Sequence, residues 1–116
     1  MLQTHHRLTR KSDFQKVLKN GNLVQGIFFG MAYLESSLSS GPKIGTIVSN
    51  KISKSAVARN RIKRLLRETV RGYIPSLEKE ALLVFLAKKT SLEANAKDVA
   101  NDVSTLLRKS GLIITT

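Results

Sequence analysis

SKSAVARNRIKRLLRETVRGY, residues 53–73, carries seven Lys or Arg side chains against one carboxylate, Glu68, yet repeats apolar residues at helical spacing. With Ile62 at zero and about 100° per residue, Leu65, Leu66, Thr69, Val70 and Tyr73 fall within about 80° of it, one continuous apolar stripe. Such a stripe must be buried, so the segment predicts a helix from about Ser55 to Gly72 laid on a sheet, with Gly72 and Pro75 as its stop. Asn60, Arg64, Arg67 and Arg71 lie about 140–200° round, Lys63 nearer the side, and Arg59 and Arg61 on the shoulders. A cationic ridge therefore faces away from the core.

The flanking segments supply the sheet. ALLVFLA (81–87) is too short for a helix of its own, and an unbroken apolar run of that length suits a central strand covered on both faces. Before the basic helix, Ile44 to Val48 reads as a strand, and IFFGMAYL (27–34), bounded by Gly26 and the polar ESSLSSGP, as another. KSDFQKVLKNG predicts a helix over Ser12 to Asn20, with Ser12 as N-cap, Gln15 completing a capping box and Gly21 as a left-handed C-cap. Its Phe14, Val17 and Leu18 share one face. At the other end, TSLEANAKDVANDVSTLLRKSG offers Thr90 or Ser91 as cap, a stripe of Val99, Val103, Leu106 and Leu107, and Gly111 as terminator. The order α-β-β-α-β-α, with room for an extra short strand, predicts an α+β fold: a small two-layer α/β sandwich.

The 116 residues show no composition break or repeat, which predicts one domain over 1–116 with about the first ten residues as a flexible tail. Twenty Lys or Arg against eight Asp or Glu give +12, so the expected partner is a polyanion. Without cysteine there is no disulfide, thiolate nucleophile or cysteine-ligated zinc, and the cytoplasm is the default compartment. MLQTHHRLTRK lacks the apolar core of a signal peptide, and ALLVFLA is far short of a membrane span. His5-His6 reads as a terminal pair, weak as a chelate. The eight carboxylates (Asp13, Glu35, Glu68, Glu78, Glu80, Glu93, Asp98, Asp102) are scattered, so no protein active site and no small-molecule substrate is expected.

Three readings compete for the ridge. A solvated charged face normally mixes signs so that i,i+4 pairs offset repulsion, and here only Glu68 is acidic. An amphipathic helix on an anionic membrane would want Trp or Phe on its apolar face, and this domain needs that face for its own core. Phosphate binding accounts for both the charge and the preference for Arg, whose planar fork suits phosphate oxygens.

ARNRIKRLLRE (58–68), preceded by IGTIVSNK (44–51) and by the N-terminal RLTRKSDFQKVLKNG (7–21), resembles the bacterial ribonuclease P protein family over nearly the whole chain. The resemblance implies a domain like the second domain of ribosomal protein S5. It also implies a non-catalytic cofactor: a catalytic RNA removes the 5′ leader of precursor tRNA while the protein binds both. By motif position the RNA-binding candidates are Lys51, Lys54, Arg59, Asn60, Arg61, Lys63, Arg64, Arg67 and Arg71. A cleft between the first helix and the sheet is implied as the path of the leader. Phe14, Leu18, Phe28 and Phe29 are the candidates there, since aromatic faces stack on unpaired bases with little sequence preference. Strand alternation points Phe28 and Phe29 to opposite faces, so one should reach the cleft. The chain departs from the family pattern at Leu18 and Ala32, where aromatics are common, and at Asn50, where Lys is common. Magnesium is implied as the metal, held mainly by RNA phosphates. A generic basic RNA-binding module, such as a ribosomal protein, explains the charge equally well.

Overall fold

The computed structural model describes residues 6–35, 42–77 and 81–113. Helix α1 (Lys11–Asn20) leads into strands β1 (Asn22–Gln25), β2 (Phe29–Glu35) and β3 (Lys43–Ile47). Helix α2 (Ala56–Tyr73), strand β4 (Ala81–Ala87) and helix α3 (Ala96–Lys109) follow. The sheet runs β1-β2-β4-β3 and is antiparallel except where β3 lies parallel to β4. ALLVFLA is thus central, as its unbroken apolar run requires.

Alternation along the strands makes two cores. Phe29 and Met31 of β2, and Leu83 and Phe85 of β4, face α2 and α3. They meet Ile62, Leu66 and Val70 of α2, and Val99, Val103, Leu106 and Leu107 of α3. These form the two principal layers of the α+β fold. On the reverse face Ala32, Leu82 and Val84 are covered by Leu8 and by Val17 of α1, with Phe14, Leu34, Ile47 and Leu86 packed around them. The described N-terminal residues belong to this structure. The Leu8 N–H donates to the Ile44 carbonyl at 2.9 Å, Arg7 bridges to Ile44, and Leu8 is buried. The expected tail is therefore not one from residue 6 onward, while His5 lies outside the described residues.

Several boundaries differ from expectation for identifiable reasons. Arg10, not Ser12, is the N-cap of α1, and no side chain caps this end. Gly21 is extended (φ −79°, ψ 172°) rather than left-handed, and its role is clearance. A Cβ there would stand 2.5 Å from the carbonyl oxygens of Val17 and Tyr33. IFFGMAYL is shortened to Phe29–Glu35 because Ile27 and Phe28 lie in the β1–β2 turn, and the extra short strand is β1. Gly72 does not stop α2, which runs to Tyr73 and then into a 3-10 turn, Ile74–Ser76, containing Pro75. A glycine only weakens a helix, whereas proline has no N–H to continue it. Thr90 and Ser91 sit in a separate 3-10 turn, Lys89–Glu93. The cap of α3 is Asn95, whose Oδ1 accepts from the Asp98 N–H at 2.8 Å while Asp98 Oδ2 accepts from the Asn95 N–H at 3.1 Å. Gly111, at φ 76°, ends α3 as expected. Its N–H donates to the Arg108 carbonyl and that of Leu112 to the Leu107 carbonyl, the pair of bonds that closes a Schellman turn.

Candidate nucleic-acid interface

Helix α2 starts at Ser55, whose Oγ accepts from the Ala58 N–H at 3.2 Å. Its first turn holds no acidic side chain, so nothing there offsets the positive end of the helix dipole. With Ile62, Leu66 and Val70 committed to the core, Asn60, Arg61, Arg64 and Arg71 are exposed, and Arg59, Lys63 and Arg67 are half-buried along their stems. Two arginines are anchored to the fold. Arg59 Nη1 donates to the Ser53 carbonyl at 2.8 Å, and Arg61 Nη2 to the Ala94 carbonyl at 2.9 Å, just before α3. Each guanidinium keeps further donors, so anchoring fixes position without consuming its capacity for an anion. Arg71 lies 3.7 Å from Glu68, a half-exposed pair of little energetic weight. Lys51 and Lys54 are exposed in the loop from β3 to α2, extending the ridge past the helix N-terminus.

The reverse face is apolar and partly open. Phe14 is half-buried, and its ring lies against β3 at Gly45, where a Cβ would stand 2.5 Å from the ring atoms Cε1 and Cζ. Glycine inside a strand marks such close approach, and this was the sequence signal for the ring's seat. Leu18, one turn on, is 46% exposed, and Ile47 and Leu86 on the sheet beneath are half-buried. Phe14 and Leu18 therefore share the face expected of them. Phe28 and Phe29 do not join it. Phe29 is fully buried under α2 and α3, and Phe28 packs against that same core from the β1–β2 turn. Alternation assigns opposite faces only within a strand, and Phe28 lies outside β2.

Asp102 is the residue whose structural part sequence reasoning missed. It is buried on α3, and its carboxylate accepts from the N–H groups of Ile27 (2.8 Å), Phe28 (3.1 Å) and Phe29 (2.9 Å). Gly26 passes so close that a Cβ would meet the carboxylate oxygens at 2.6 Å. The same turn is held through its carbonyls: Lys88 Nζ donates to Gly26 O, Thr90 Oγ1 to Ile27 O and Lys109 Nζ to Gln25 O. A carboxylate within the apolar stripe of α3 was the available signal. Asp102 accepts three backbone N–H bonds, Asp98 accepts in a capping box and Glu68 stands beside Arg71, so these carboxylates already have partners. Among the described residues no group of three or more His, Cys, Asp or Glu is gathered to hold a metal ion. Glu78 and Glu80 lie outside the described residues.

Geometry and charge define a small α+β domain with a cationic helix on one side of its sheet and a partly open apolar face on the other. A family model described as Ribonuclease P matches residues 2–111. The ribonuclease P protein component of Pseudanabaena is 32% identical, the match covering 97% of each chain. That of Caldanaerobacter subterraneus is 35% identical, over 91% of this chain and 90% of the relative. Among solved structures, the RNase P protein of Staphylococcus aureus superposes with a TM-score of 0.85 at 22% identity, covering 94% of this chain and 98% of that one. The chain belongs to the ribonuclease P protein family.

Proposed function

We propose that this chain is the protein subunit of ribonuclease P. It binds the catalytic RNA through α2 and the 5′ leader of precursor tRNA across the α1 face, and assists RNA-catalysed removal of that leader. The observation that carries this reading is the ridge: α2 gives its whole apolar stripe to the core and presents an almost unmixed row of cations. Repulsion along that row is offset when phosphates lie against it. The protein itself supplies no acid, base or nucleophile. Magnesium enters on RNA oxygens, which are hard ligands suited to it. The ribonucleoprotein works in the cytoplasm; among the described residues no helix is long and apolar enough to cross a membrane.

Two measurements test this. Purified protein is expected to leave precursor tRNA intact at any magnesium concentration, and protein plus catalytic RNA to cut once, at the mature 5′ end. Cleavage by RNA-free protein overturns the division of labour, and RNA binding without stimulation of cleavage reduces the chain to a generic basic RNA-binding module. For the helix, neutralising about five phosphates gives log K against log salt a slope near −4 to −5. The double change Arg64→Ala and Arg67→Ala is expected to flatten it by up to about 2. An unchanged slope moves the RNA site off α2.

A further inference from the structure

At the N-terminal end of the cationic ridge on α2 stands a valine. Val57 lies about 20° from Arg64, about 40° from Arg61 and about 60° from Asn60 around the helix axis, at its N-terminal end. It is 81% exposed, the most open large apolar side chain among the described residues. Nothing in the fold holds it, and a β-branched residue at an exposed helical position forms helix less readily than alanine. Further along the same line the character changes. Glu68 lies about 20° from Val57 around the axis and sits beside Arg71, so a carboxylate interrupts the positive field there. The uninterrupted part of the ridge is its N-terminal half, with Val57, Asn60, Arg61 and Arg64 on one exposed line.

A row of phosphates alone has no use for two methyl groups exposed on its binding surface. A groove of double-helical RNA does. The A-form minor groove is wide and shallow and displays riboses between two phosphate rows, so an apolar side chain flanked by cations complements it. We propose, building on the reading of α2 as an RNA-binding helix, that Val57 seats on the ribose surface of a duplex RNA minor groove. Arg61 and Arg64 engage phosphates beside it, and Asn60 reaches the 2′-hydroxyls. The footprint runs from Val57 to Arg67 and ends before the Glu68–Arg71 pair.

The test is titration of the intact protein against the catalytic RNA transcribed from the same genome, over a series of salt concentrations. Val57→Ala is expected to weaken binding roughly three- to tenfold, the weight of one or two methyl groups returned to water, with the salt slope unchanged. Its melting temperature should be equal or higher, because alanine is the better helix former. Hydroxyl-radical footprinting should lose protected riboses at the α2 site. Arg64→Ala should flatten the slope by about 1 and Arg71→Ala should leave it nearly unchanged. If Val57→Ala binds like the parent protein while Arg64→Ala flattens the slope, the valine seat is wrong and the RNA-binding helix stands. If Arg64→Ala is also silent, that reading falls with it. Affinity lost together with a lower melting temperature also overturns the seat, and a slope change at Arg71 equal to that at Arg64 overturns the footprint boundary.

Discussion

Asp102→Ala is expected to lower the melting temperature by more than about 10 °C, the largest stability effect of any single side chain considered for this fold. Three backbone N–H groups converge on that carboxylate, and hydrogen bonds to charged groups contribute about 1.5–3 kcal/mol each. The three bonds share one carboxylate and are not additive, so the net loss is about 3–5 kcal/mol rather than the full sum. A domain of this size shifts by roughly 4 °C or more per kcal/mol. Asp102→Asn keeps one acceptor oxygen and loses the charge, and should fall between the parent and Asp102→Ala. Asp98→Ala removes only the exposed half of a capping box and is the control, at about 1 kcal/mol. Thermal unfolding followed by circular dichroism checks the ranking. Equal losses at 98 and 102 would show that the turn is not fastened through Asp102.

For function, the largest single-residue effect is expected at Phe14. If its ring stacks on an unpaired leader base, Phe14→Ala removes about 1–3 kcal/mol of precursor affinity, roughly 5- to 150-fold. Mature tRNA should bind as before, and the deficit should vanish for precursors whose leaders are too short to reach the α1 face. Phe14 also helps cover the reverse core, so melting temperatures belong beside the affinities. Phe14→Leu preserves that cover without the aromatic face and should reproduce most of the binding loss. Gly45→Ala approaches from beneath: the new Cβ displaces the ring from β3 and should weaken long-leader binding in the same direction. Equal weakening of long-leader and leaderless substrates by Phe14→Ala would return Phe14 to a purely structural role.

What the sequence made legible was whatever repeats within a few residues. The 3.6-residue period of α2 and α3, the apolar run of β4 and the glycine that terminates α3 are local patterns with local causes, and each is found where the pattern puts it. The less legible features depend on distant partners. Asp102 meets Ile27 across a separation of 75 residues, which explains why an acidic residue in an apolar stripe looked like one more scattered carboxylate. Gly21 and Gly26 are also set by distant neighbours, the Tyr33 carbonyl and the Asp102 side chain. Phe29 joined the list of cleft aromatics because strand period alone does not say which face is which. That is decided by where α1 crosses the sheet, over β2 and β4 on the side of Ala32, Leu82 and Val84.

The central strand has an evolutionary consequence. In β4, Leu83 and Phe85 belong to the core beneath the cationic helix, while Leu82, Val84 and Leu86 belong to the floor beneath Phe14. One seven-residue segment therefore serves as a party wall between two surfaces that share no side chain. In the proposed ribonucleoprotein, a substitution that retunes the grip on leaders can fall on one side of that wall without replacing any side chain of the other. The two surfaces are free to diverge at different rates within a single small domain.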